Sequence, residues 1–234
     1  MTDRERIAEG YRRVIERIAV AARRRGRSPS DVTVVAVSKT FSADVVREAI
    51  AAGVTNLGEN RAQELKEKVS GVGPGARWHF VGHLQTNKVR YVVGHAALIH
   101  SVDRFGLAEA VARRARNMGL TQEVLIEVNV SREDAKQGVE PARAIALAEE
   151  VDGLDGLSVR GLMTMAPLVE DAEATRPYFA ELADLGATLG RRLPGATELS
   201  MGMSRDFEVA VEEGATIVRV GEAIFGPRRR PAPT

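Results

Sequence analysis

What most constrains this chain is an alternation. Eight short runs rich in strand-forming residues recur along it: VTVVAV (32–37), TNLGE (55–59), RWHFVG (77–82), LIHSV (98–102), EVLIEVNV (123–130), VRGLMTM (159–165), ELSMG (198–202) and TIVRVG (216–221). Between them lie helix-period segments such as ADVVREAIAA, RFGLAEAVARRARNMG, PARAIALAEEV, ATRPYFAELADLGATLGRR and RDFEVAVEEG. Eight strands with intervening helices in 234 residues point to an α/β fold of the closed (β/α)8, TIM-barrel type. A doubly wound open sheet is the alternative, but no GxGxxG opens a helix after the first strand and no linker divides the chain. Ile7, Tyr11, Val14, Ile15 and Ile18 recur at helical spacing and predict an extra N-terminal helix over residues 3–25. Residues 1–226 therefore read as one domain, and the tail PRRRPAPT (227–234) as disordered.

Bulk properties exclude several functions. The 33 basic and 32 acidic residues leave a net charge of +1, so no global field draws in nucleic acid or an acidic membrane. The arginine clusters at 23–27 and 228–230 are short, lie near the ends and lack interleaved aromatics, so nucleic-acid binding is not expected. The absence of cysteine rules out disulfides, thiolate catalysis and Cys-ligated metals. No stretch is apolar for long enough to span a bilayer, and the charged N-terminus is unlike a signal peptide, so a cytoplasmic location is expected.

In a barrel of this kind chemistry sits at the C-terminal ends of the strands. The first strand runs into VAVSKT, and alternation puts Val35, Val37 and Lys39 on one face. Lys39 is then either a solvated rim lysine or a partly desolvated amine standing above the barrel interior. The eighth strand bears on that choice. Val218 and Val220 suit the helix-packed outside, so Arg219 should point inward, where a buried guanidinium needs partners. First and eighth strands are neighbours in a closed barrel, so Lys39 and Arg219 should face one space.

The seventh strand adds a cradle. SMGMSRDFEVAVEEG reads as a strand, a Gly/Ser turn and a helix, with Ser204 suited to the N-cap and Asp206 in the first turn. Small Gly202, the Ser204 hydroxyl and exposed backbone N–H groups would accept a phosphate, and Gly221 offers a similar opening after the eighth strand. The plainer account is that Ser204 only caps its helix. Lysine, phosphate cradle and inward arginine together suggest pyridoxal phosphate (PLP), whose aldehyde takes an amine and whose phosphate takes backbone N–H groups. A guanidinium only donates hydrogen bonds, so at the pyridine nitrogen it would favour the unprotonated ring and weaken it as an electron sink.

VAVSKT, GENRAQEL (58–65), WHFVGHLQTNK (78–88), IHSVD (99–103), GLMTMAP (161–167), LSMGMSRDFEVAVEEGAT (199–216) and VRVGEAIFG (218–226) together resemble the pyridoxal phosphate homeostasis proteins. The resemblance runs in order from about residue 32 to 226. It implies a single-domain barrel similar to the N-terminal domain of alanine racemases, which binds, buffers or delivers PLP and is not an established catalyst. By position it implies that Lys39 is the Schiff-base lysine and that Arg219 faces the ring nitrogen. It places Asn60 close to the cofactor, and Ser200, Met201, Gly202, Ser204, Gly221 and Glu222 in the phosphate cradle. Glu222 departs from the pattern, since a threonine or serine is common there, which puts phosphate affinity in doubt. PLP-dependent apo-enzymes are the candidate recipients, and a monomer is expected.

A racemase-like enzyme is the rival, but racemases use a second base, often a tyrosine, and Tyr11, Tyr91 and Tyr178 do not fall at strand ends. His79 and His83 share a strand face without a carboxylate in the motif, so they are expected to orient loops and no metal is expected. Met163, Met165, Met201 and Met203 read as barrel and rim packing. Glu59 is left open, as a partner of Lys39, of Arg219 or of neither.

Overall fold

The eight apolar runs form eight strands close to their predicted bounds in the computed structural model, which describes residues 2–133 and 137–227. The strands are β1 (Thr33–Val37), β2 (Asn56–Glu59), β3 (Arg77–Phe80), β4 (Leu98–Val102), β5 (Gln122–Glu127), β6 (Leu157–Met163), β7 (Glu198–Ser200) and β8 (Ile217–Val220). They pair in chain order, all parallel, and β8 closes on β1, so the sheet is a barrel without edges. The predicted tail, apart from Pro227, and the arginine cluster at 228–230 lie outside the described residues.

Eight helices accompany the strands among the described residues: α1 (Asp3–Arg24), α2 (Ala43–Ala51), α3 (Ala62–Val72), α4 (Phe105–Asn117), α5 (Pro141–Asp152), α6 (Arg176–Arg192), α7 (Phe207–Glu212) and α8 (Glu222–Phe225). The link from β3 to β4 carries only a 3₁₀ segment, Thr86–Tyr91. The extra N-terminal helix is present as α1. It opens on a capping box in which the Thr2 hydroxyl accepts from Glu5 N and the Glu5 carboxylate accepts from Thr2 N. Its apolar face (Ile7, Val14, Ile18, Ala21) is buried against α8, α7 and α2, and Arg17 and Arg24 pair across to Glu208 and Glu212.

Strand alternation sorts the core into two parts. Val34 and Ala36 of β1, with Val218 and Val220 of β8, join the large apolar layer between sheet and helices. Val35 turns inward and meets Leu98, Leu125, Met163 and Ile217 in a small cluster inside the barrel. At about 1.5–3 kcal/mol for each large apolar side chain buried, most of the stabilising burial lies outside the barrel wall. The interior is left room for polar groups.

Candidate cofactor site

Each mouth of the barrel carries a cavity. The one at the N-terminal ends of the strands is about 510 Å³ and polar, with Thr33, Asn56, Arg77, His79 and Glu198 on its walls. The one at the C-terminal ends is about 560 Å³, and Lys39, Asn60, Ser204, Arg219, Gly221 and Glu222 line it. The two strand-end side chains expected to meet there do so. β1 delivers Lys39 two residues beyond its last strand residue, Val37, which also lines the cavity.

Arg219 points inward, as the Val218/Val220 alternation predicted. It stands opposite Val35 in the β1–β8 register and is 5% exposed. Its partners are neutral oxygens: Nη1 donates to Ser200 Oγ at 2.6 Å and Nη2 to the Thr164 carbonyl at 2.8 Å. Burial lowers the guanidinium to about 10 against the pull of Glu127 and Asp206, so it keeps its charge at neutral pH. Anchored by two donors, it has others left for the cavity it lines.

Behind Arg219 a chain of hydrogen bonds crosses the barrel interior. Ser200 Oγ lies 2.8 Å from His100 Nδ1, His100 Nε2 lies 2.9 Å from His79 Nδ1, and His79 Nε2 lies 3.1 Å from Asn56 Oδ1. The donor directions follow from one end. Asn56 Oδ1 can only accept, so His79 carries its proton on Nε2 and leaves Nδ1 to accept from His100 Nε2. His100 Nδ1 then accepts from the Ser200 hydroxyl, whose oxygen accepts from Arg219. Both imidazoles are neutral in this arrangement. Burial, aided by Arg77, brings His79 down to about 3, and burial with His79 and Arg219 nearby holds His100 well below its ordinary value. His79 is therefore an interior residue and not a loop-orienting one, whereas His83 stands at the C-terminal mouth, 3.8 Å from Asp103.

The loop after β7 differs from expectation. Helix α7 begins at Phe207 and its N-cap is Asp206, not Ser204. Asp206 Oδ1 accepts from Met203 N at 2.6 Å, which folds the turn back on itself. Gly202 at φ +90° makes that turn possible, since a Cβ there would sit 2.6 Å from Ala210 Cβ. Ser204 is freed to reach sideways, and its hydroxyl accepts from Ala223 N at 3.4 Å. The loops after β7 and β8 are thus joined at the cavity wall. Ser200 and Met201 are fully buried behind it: Ser200 belongs to the interior chain and Met201 to the outer core, and neither lines the cavity. Glu222 opens α8 with its side chain exposed.

Three carboxyl groups complete the setting. Glu59 meets neither Lys39 nor Arg219 but Lys68 of α3, at 2.6 Å. Glu127, at the end of β5, lines the cavity, and burial reinforced by Asp103 and opposed by Arg219 pushes its carboxyl up to about 7. Asp206 is raised by burial and pulled back by Met203 N and Arg219. Glu127 went unremarked in the sequence although Leu125 and Glu127 share a face in EVLIEVNV; the alternation was the available signal. Met165 and Met203 line the cavity and Met163 fills the barrel, while no tyrosine lies on the cavity wall among the described residues. Nor does any group of three or more His, Asp or Glu side chains among them converge to hold a metal. No helix described is long and apolar enough to cross a membrane.

Proteins similar to this chain in sequence and in fold are known. The alanine racemase N-terminal domain family matches residues 14–229. A pyridoxal phosphate homeostasis protein of Aquifex aeolicus is 46% identical over 94% of this chain and 98% of its own. An unknown protein from Bifidobacterium adolescentis superposes with a TM-score of 0.90 at 38% identity, over 95% of each chain. PipY of Synechococcus elongatus, solved with PLP bound, superposes with a TM-score of 0.77 at 39% identity, over 91% of this chain and 100% of that one. This chain belongs to the alanine racemase N-terminal domain family and, within it, to the pyridoxal phosphate homeostasis proteins.

Proposed function

We propose that this protein binds pyridoxal phosphate at the C-terminal mouth of its barrel, holds it as a reversible Schiff base on Lys39, and acts in cofactor buffering and delivery. The observation that carries the proposal is the convergence of Lys39 from β1 and Arg219 from β8 on one cavity. The donor set suits the ligand: one amine for the aldehyde, one guanidinium for a ring nitrogen, and Ser204 with Gly221 for phosphate. At Gly221 a Cβ would come within 3.2 Å of the Val37 carbonyl, so a glycine keeps that wall thin. The PLP-bound relative at 39% identity supports the same ligand.

The covalent step balances without a co-reactant. Lys39 Nζ adds to the aldehyde carbon, a C=N bond forms and the oxygen leaves as water; hydrolysis, or exchange with another amine, reverses it. Arg219 is a donor at the ring and so disfavours the protonated pyridine on which carbanion chemistry depends. Together with a wall that carries no tyrosine among the described residues, this favours a carrier over a racemase. Apo-enzymes that need PLP are the recipients this role implies. Borohydride reduction after mixing with PLP, followed by peptide mapping, should trap the adduct on Lys39, and Lys39→Ala should abolish the aldimine absorbance. Racemisation and transamination of alanine should stay at the level of free PLP. A colourless wild-type protein, or an adduct elsewhere, would defeat the assignment; enzymatic turnover would favour the racemase-like alternative.

A further inference from the structure

We infer that Lys68, together with Glu59 and Glu64, forms a clamp on the backbone either side of Lys39 and is the positioning device for that lysine. The inference rests on Lys39 being the anchoring amine. The clamp lies on the far side of the barrel wall from the cavity. Leu57 packs in the outer core, so by alternation Glu59 also turns outward, toward α3. On α3 the buried stripe is Ala62, Leu65 and Lys68, which puts an ammonium where an apolar residue is expected.

The ammonium has three donors, and three oxygens surround it. Lys68 Nζ lies 2.9 Å from the Ser38 carbonyl, 2.6 Å from Glu59 Oε1 and 3.6 Å from Glu64 Oε2. Glu59 Oε1 also accepts from Ser38 Oγ at 2.6 Å, and Glu64 Oε2 accepts from Thr40 N at 3.2 Å. The residue before Lys39 is therefore held through its carbonyl and its hydroxyl, and the residue after it through its N–H. Lys39 sits between two fixed points with its side chain on the cavity side.

Two costs flank the same residue. Thr40 has φ +70°, a left-handed conformation that a β-branched residue strongly disfavours. Glu59 is fully buried, and its Oε2 has no hydrogen-bond partner among the described residues. Burial pushes its carboxyl up against the pull of Lys68 and Ser38. A purely structural contact between β2 and α3 would be served better by apolar residues, because a buried ion pair rarely beats them. Strain of this kind persists where surrounding structure over-determines a functional residue. A clamp that fixes Lys39 accounts for both costs at once.

The test compares wild type with Lys68→Met and Glu64→Gln. Two measurements are made: amide hydrogen exchange over residues 38–41 in cofactor-free protein, and the rate and affinity of aldimine formation at saturating and limiting PLP. Lys68→Met should speed exchange in that segment relative to β5 and weaken binding about tenfold or more, the scale of one lost charged hydrogen bond. Borohydride should still trap the adduct on Lys39. Glu64→Gln leaves the Glu59–Lys68 pair in place and should loosen the segment at Thr40 with a smaller loss of affinity, so it remains informative if Lys68→Met folds poorly. A merely structural role would lower thermal stability while leaving the saturating rate and affinity unchanged, and that result would overturn the clamp. Failure of the wild type to trap PLP on Lys39 would instead overturn the reading beneath it. Exchange over residues 38–41 would then still report whether the backbone is held.

Discussion

The barrel wall separates two buried polar systems that solve the same problem in opposite ways. Inside, a chain of neutral groups, Asn56, His79, His100 and Ser200, ends on the charged Arg219; outside, beneath α3, sits the charged group of Lys68, Glu59 and Glu64. The neutral members satisfy one another by passing one proton direction along from the acceptor Asn56 Oδ1, so their cost of burial is small. The charged group leaves Glu59 Oε2 without a hydrogen-bond partner among the described residues and relies on one short ion pair. One system orients a side chain across the width of the barrel; the other grips main chain on either side of a single residue. Burying polarity is cheap when hydrogen bonds can be chained and expensive when the charge must stay in place.

The largest effect should come from breaking the charged system. Lys68→Met leaves the Glu59 carboxylate buried with only Ser38 Oγ for company, which should cost about 3–5 kcal/mol of unfolding free energy in urea titrations. The double variant Lys68→Met/Glu59→Leu should recover most of that stability without recovering the rate of aldimine formation. A double variant as unstable as the single one would mean that packing, not the orphaned carboxylate, dominates.

These two systems also mark how far the sequence was legible. Strand and helix positions followed from periodicity, and the inward turn of Arg219 followed from its valine neighbours, because both are local patterns. His79, His100 and Ser200 lie on three strands distant in sequence, and only barrel closure brings their side chains together. Ser204 was misplaced as a cap because Ser and Asp compete within SMGMSRD. The winner depends on the positive φ at Gly202, which no composition reveals. Lys68 was open to reading, since it interrupts an apolar stripe at i, i+3 spacing beside Ala62 and Leu65.

A middle-sized effect should appear with pH, and it sharpens the neutral half of the comparison. His79 titrates near 3 in the folded protein against 6.5 ordinarily, so between those values the unfolded chain binds the extra proton. Its contribution is complete above about 6.5 and is lost as pH falls, by about 1.4 kcal/mol per pH unit for each such histidine. His100 acts in the same direction. Glu127 runs opposite: raised to about 7 from 4.5, it stabilises in full below 4.5 and loses that contribution as pH rises through 7. Between 4.5 and 6.5 the Glu127 slope offsets that of one histidine only. Urea unfolding of cofactor-free Glu127→Gln at a series of pH values should therefore show a steeper acid loss than wild type. Parallel curves would mean that Glu127 titrates normally.

The smallest effect belongs to the far end of the neutral chain, and it tests which end sets its direction. Asn56 lines the polar cavity at the N-terminal mouth, so after Asn56→Ala the His79 Nε2–H can turn to water there. The loss should stay below about 1 kcal/mol, that of one solvated hydrogen bond. Asn56 Nδ2 already donates to Thr55 Oγ1 at 3.2 Å, which orients its carbonyl oxygen toward His79. If Arg219 dictates the order, nitrogen NMR should find both histidines as Nε2–H tautomers in the variant as in wild type. If either proton moves to Nδ1, Asn56 was holding the chain from below. Ser200 would then have lost the acceptor for its own proton and would share its oxygen between His100 and the arginine, and cofactor affinity should fall with it.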